Sequence, residues 1–128
     1  MKILISLMAT FISTQLLAAT VEMGKYTAYP VDYPTAIATI DLRPDATADV
    51  SIDIDGLVVN CTGTFVVEEN VMKAHVFCDH PQAPEVNTSI NFTNVTPENV
   101  RSEEGVDVPA TFDLLGDEEV LFNLKKAD

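Results

Sequence analysis

The sequence predicts an all-β domain, a small antiparallel meander of about eight strands that closes into a barrel more readily than it forms a sandwich. Three observations support this fold class: apolar and polar residues alternate with period 2, tight-turn signals separate the alternating runs, and no useful stretch has helical period. An immunoglobulin-like sandwich is the competing fold. Such a sandwich usually places its cysteines farther apart, across a core tryptophan, and this chain contains no Trp.

The first nineteen residues have the layout of a secretory signal peptide. Lys2 precedes an apolar run from Ile3 to Leu17, and small residues continue to Ala19, where we expect cleavage. The run is too short and too polar for a spanning helix of about 20 apolar residues. No cysteine lies at the cleavage site, so we expect no lipid anchor. The sequence thus predicts a signal peptide over 1–19 and one domain over 20–128, located in the periplasm or secreted.

The strongest alternation lies between residues 36 and 54. Ala48, Val50, Ile52 and Ile54 share one face of a strand over 47–54, and the residues 36–42 repeat the pattern. The turn signal at 43–46 contains a proline followed by an aspartate, so these two strands form a hairpin. Asp55-Gly56 is a strong signal for the next tight turn.

The next hairpin contains both cysteines. Its strands run over about 57–67 and 71–78, joined by a two-residue turn at Glu69-Asn70. That turn places Cys61 directly opposite Cys78 in a non-hydrogen-bonded pair, in which Cα atoms lie about 4.5 Å apart. This separation is within the range that a disulfide spans, and an exported chain is oxidised by default. We therefore predict a cross-strand disulfide between Cys61 and Cys78.

The remaining strands are less regular. We predict a first strand over 25–29, a loop over 79–85, a strand over 89–95, and a turn over 96–99 followed by a charged loop over 101–105. A strand over 106–115 is interrupted by Pro109, and the last strand covers 120–125. The inward faces are almost entirely apolar and of medium size, so we expect side chains to fill the core.

Catalytic and metal-binding signals are weak. The alternation of the strand places the side chain of His75 outward, opposite Thr64. His80 lies in a loop beside Asp79, but the sequence indicates no serine nucleophile for it to activate. Two cysteines and two histidines do not form the clustered pairs of a structural zinc site. We therefore expect no enzyme activity, no metal and no cofactor.

The formal net charge is −13, which disfavours nucleic acid and anionic lipid as partners and favours a cationic protein. We expect no membrane insertion of the mature chain. Recognition would then use loops and edges. The candidate recognition residues are Tyr29, Tyr33, Asp79, His80, Glu103 and Glu104.

The leading functional hypothesis is a non-enzymatic binding domain that recognises a cationic protein through acidic loops. One alternative is a carrier that holds a small apolar molecule in the barrel, and another is a structural component that assembles through strand edges. In size, strand count and leader the chain resembles lipocalin-like domains and periplasmic lysozyme inhibitors. No motif of either family can be placed on these residues, so the resemblance assigns no functional residue.

Overall fold

The computed structural model describes residues 21–113, 116 and 118–127, and it confirms the all-β barrel. The predicted leader lies outside the described residues. Eight antiparallel strands follow one another in chain order, and β1 pairs with β8 to close the barrel. The strands are β1 (Gly24–Pro30), β2 (Ala36–Leu42), β3 (Thr47–Ile54), β4 (Leu57–Glu68), β5 (Val71–Cys78), β6 (Glu85–Asn91), β7 (Val106–Phe112) and β8 (Glu119–Lys126).

The predicted two-residue turns have the backbone conformation that their residues favour. Asp55 and Gly56 have φ values of 53° and 94°, and Glu69 and Asn70 have values of 51° and 66°. Positive φ at both central residues is characteristic of type I′ turns, whose twist matches that of the flanking strands. The turns thereby set the registers of the β3–β4 and β4–β5 hairpins.

The predicted disulfide is confirmed. Cys61 of β4 lies directly opposite Cys78 of β5, and their sulfur atoms are bonded. The Cα atoms are 4.0 Å apart, slightly closer than the separation expected from the ladder geometry. Cys61 faces inward and is 2% exposed. The turn residues, the alternation of inward-facing apolar side chains and the disulfide therefore all indicate the same register of β4 and β5.

Strand β6 begins and ends earlier than the sequence predicts. It starts directly after Pro84, so proline does not interrupt it, and it stops at Asn91. The chain then turns under the barrel because the amide of Phe92 donates to the carbonyl of Asn70 and the amide of Val95 donates to the carbonyl of Phe92. The prediction of a strand over 89–95 is therefore wrong at both ends.

Strand β7 continues through Pro109, contrary to the predicted interruption. Pro109 pairs with Leu121 of β8, but it precedes the first pair that β7 makes with β6, between Ala110 and Ile90. On that side β7 is locally an edge strand, and edge positions tolerate proline.

The connections alternate between two ends of the barrel because neighbouring strands are antiparallel. We call the end formed by connections 31–35, 55–56, 79–84 and 113–118 the upper end. The end formed by connections 43–46, 69–70 and 92–105 is the lower end. Described residues of the connection 113–118 are 113, 116 and 118.

The lower end is closed by the segment 92–105. Its apolar residues Phe92, Val95 and Val100 are each 1% exposed and pack beneath the strands. The ring of Tyr26 meets Phe92 edge to face, with ring centroids 5.8 Å apart, and its hydroxyl donates to the carbonyl of Glu22 at 2.6 Å. This packing forms a floor under the barrel interior.

Removal of the disulfide tests how strongly the β4–β5 hairpin supports the barrel. We expect the double variant Cys61→Ala/Cys78→Ala to lose about 3 kcal/mol of unfolding free energy, the chain-entropy value for a loop of this length. Urea denaturation of the oxidised protein and the variant measures the difference. A change within error of zero would show that the turn and packing alone fix the hairpin.

The buried phenol of Tyr26 predicts a loss of stability in alkali. Burial raises the pKa of Tyr26 from 10.0 to about 12. The folded state therefore retains the proton while the unfolded chain releases it, and this contribution to unfolding free energy falls by about 1.4 kcal/mol per pH unit between pH 10 and 12. The stability difference between the wild type and Tyr26→Phe should shrink over that range.

Urea denaturation at several pH values checks this, with Tyr33→Phe as the control because it removes an exposed hydroxyl. A Tyr26→Phe difference that stays constant from pH 9 to 12 would contradict the assignment.

Candidate functional site: the barrel cavity and its rim

The interior of the barrel contains a cavity of about 310 Å³. All eight strands contribute inward-facing side chains to its wall. Near the lower end these side chains are buried, with Leu124 0% and Leu42 1% exposed. Near the upper end the inward-facing Ala38, Ile52 and Pro30 are partly exposed. The cavity is therefore a cup with a sealed floor and an open upper end.

Small side chains create this space. The cavity wall includes six alanines from five strands: Ala28, Ala36, Ala38, Ala48, Ala74 and Ala110. The expectation of a filled core is wrong because alanine satisfies the apolar pattern while contributing little volume. An engineered cavity of about 150 Å³ binds benzene, and ligand pockets begin near 300 Å³. The cup is therefore large enough for a small organic molecule.

The wall of the cup is almost entirely apolar. Among the described residues that form it, the only polar side chain is that of Thr88 on β6, and its hydroxyl donates to the carbonyl of Thr111 at 2.9 Å. Sequence alternation missed Thr88 because it placed the start of this strand four residues too late. Because that hydroxyl already donates its hydrogen bond to the backbone, the wall selects ligands by their shape and by the apolar surface that they bury.

Exposed apolar side chains surround part of the opening. Val31, Ile54 and Leu57 are 39%, 42% and 56% exposed. Ile54 and Leu57 pair across the end of the β3–β4 hairpin. The hydroxyl of Tyr33 donates to Asp55 at 2.7 Å, which ties the connection 31–35 to the adjacent turn. We call Val31, Ile54 and Leu57 the apolar lip.

Acidic residues dominate the upper end, and we call them the acidic rim. The described members of the acidic rim are Asp32, Asp53, Asp55, Asp79, Glu85, Asp113, Glu118 and Glu119.

Every lysine and arginine of the described residues lies instead in the lower half of the barrel: Lys25, Arg43, Lys73, Arg101, Lys125 and Lys126. Several of them pair with carboxylates there. Arg43 pairs with Asp49, Lys73 pairs with Glu68 at 3.2 Å, and Arg101 pairs with Glu22 at 2.8 Å. The lower half therefore carries both signs of charge, whereas lysine and arginine are absent from the described part of the upper end.

The candidate recognition residues divide between the two ends. Tyr29, Tyr33, Asp79 and His80 lie at the upper end, whereas the connection that contains Glu103 and Glu104 lies at the lower end. Since the ends are opposite, these six residues do not form a single surface. The sequence shows which connection contains each residue, but only the strand topology shows which connections lie at the same end of the barrel.

The loop pair Asp79 and His80 contacts backbone groups. A carboxylate oxygen of Asp79 accepts from the amide of Asn60 at 2.9 Å, and Nδ1 of His80 accepts from the amide of Gln82 at 3.2 Å. These contacts order the connection between β5 and β6.

The other histidine, His75, faces outward opposite Thr64 as predicted. Its Nε2 lies 2.9 Å from a carboxylate oxygen of Glu85. A shallow groove on this outer face, between β4, β5 and β6, also involves Asn87. The groove is open along its length, unlike the cup.

No three metal-binding side chains come together among residues 21–113, 116 and 118–127. The same residues contain no helix long and apolar enough to cross a membrane.

Comparison of the chain with family models, with curated proteins and with solved structures finds no match. The geometry of the cup and its rim is therefore the basis for the functional proposal.

Proposed function

We propose that this protein is a non-enzymatic carrier that holds a small apolar molecule in the barrel cup. The observation that supports this most strongly is the apolar cavity of about 310 Å³, sealed at the floor and open at the upper end. Concave, largely apolar and pre-formed cavities are the usual sites for small ligands. A molecule in this cup would remove apolar surface of both partners from water, which is the main favourable contribution to such binding.

The recognition of a cationic protein is a second candidate. The acidic rim, whose described residues include no lysine or arginine, supports it, because a charged patch steers an oppositely charged partner toward its surface. Glu103 and Glu104 would not share that surface, since they lie at the other end.

Assembly through strand edges has less support. Strands β1 and β8 pair with each other across five residue positions, so these two described strands leave no open sheet edge between them. Closure removes most of the unpaired backbone groups that edge assembly needs, and the local edge of β7 before Ala110 is short.

We also propose that the carrier works outside the reducing cytosol, in the periplasm or beyond the cell. The Cys61–Cys78 disulfide supports this location because structural disulfides persist in oxidising compartments. The signal-peptide pattern of residues 1–19 points the same way.

The carrier function can be tested by filling the cup. The double variant Ala74→Leu/Ala110→Leu adds side-chain volume from β5 and β7, and we expect it to fold because both alanines line the empty space. We expect saturable binding of 1-octanol to the wild type, with NMR shifts confined to cavity-lining methyl groups, and an affinity at least about tenfold lower in the variant.

Ala127→Leu is the matched control, because it adds the same side chain at an exposed site outside the cup. Equal octanol affinity in all three proteins, or shifts confined to the outer surface, would argue against a carrier.

A further inference from the structure

We infer that the ligand of the cup is a cationic amphiphile, with an apolar tail held inside the barrel and a positively charged head at the acidic rim. This inference rests on the proposed carrier function and specifies its ligand class. It follows from two features, the one-sided opening of the cavity and the distribution of charge over the barrel.

The opening fixes how an amphiphile must enter. The described residues of the wall include no charged group, and their only polar side chain already bonds to the backbone. The floor is sealed by Tyr26 and Phe92. A charged head inside the cup would lose its hydration without compensation, which is strongly unfavourable. The tail therefore enters first and the head stays at the upper end.

The charge at the upper end selects the sign of the head. Asp32, Asp55 and Glu118 lie in connections around the opening, and no lysine or arginine of the described residues lies at this end. The described lysines and arginines are all in the lower half. A cationic head gains favourable interactions with the rim carboxylates, while a carboxylate head is repelled by them.

The connection that bears Tyr33 brings the two features together. Tyr33 donates to Asp55, so this rim carboxylate is held beside the apolar lip at Ile54 and Leu57. A chain passing over the lip into the cup therefore keeps its head near a carboxylate. The acidic rim and the apolar entry belong to the same opening.

The discriminating experiment compares three ligands with one tail length: octylamine, 1-octanol and octanoate. At pH 7 the amine is cationic and the acid is anionic. Calorimetric titration of the wild type should give octylamine an affinity at least about tenfold above that of octanoate, with octanol between them. Added NaCl should weaken octylamine binding and leave octanol binding unchanged.

Matched charge variants locate the effect. The rim variant Asp32→Asn/Asp55→Asn/Glu118→Gln should lose most of the preference for octylamine while binding octanol normally. The control variant Glu98→Gln/Glu103→Gln/Glu104→Gln removes the same charge at the lower end. It should keep the wild-type preference.

The outcomes separate the ligand class from the carrier function. If octanol binds in the cup but octylamine and octanoate bind equally, or octanoate binds more tightly, the carrier function stands and the inference about charge is overturned. That inference is also overturned if the rim and control variants behave alike. The preference for octylamine would then depend on the net charge of the protein and not on where the carboxylates lie. If none of the three ligands binds saturably, the carrier function fails as well.

Discussion

The register between β4 and β5 is the constraint on which the rest of this barrel depends. Side chains alternate across a strand, so a slip of one residue would turn every inward side chain outward. The type I′ turn at Glu69-Asn70 and the Cys61–Cys78 bond fix this register from the two ends of the hairpin. Because each further strand pairs with its neighbour in a fixed register, the hairpin also determines which side chains of the other strands face inward.

The volume of the cup follows from closure together with side-chain size. Eight strands enclose an interior that side chains can just fill, or that can hold one small ligand. Large residues fill the lower part, where Leu42, Met72 and Leu124 meet the floor. Higher in the barrel, alanines such as Ala28 and Ala38 face one another across the β1–β2 ladder. The same apolar alternation thus yields a packed base and an empty upper half.

Local chemistry explains which features could be predicted from sequence. The bounds of β3 and β5, the two tight turns and the disulfide depend on neighbouring residues, and their patterns indicated them correctly. The end of β6 depends on a tertiary bond between Phe92 and Asn70, so alternation alone misplaced it. The cavity depends on summed volumes across eight strands, which binary patterning does not measure. The absence of lysine and arginine from the upper end could have been found from the meander itself, because its odd-numbered connections share one end and their sequences contain neither residue type.

The acidic rim also gives a physical reason why an open apolar cup is tolerable in this barrel. Exposed apolar groups such as Ile54 and Leu57 favour self-association when they meet their counterparts on another copy. Two copies approaching through their upper ends would bring like-charged rims together, and this repulsion opposes contact of the lips. A small cation entering the cup experiences attraction from the same charges. The rim therefore discriminates by charge between a second copy of the chain and the proposed ligand, and both effects weaken together as salt screens the carboxylates.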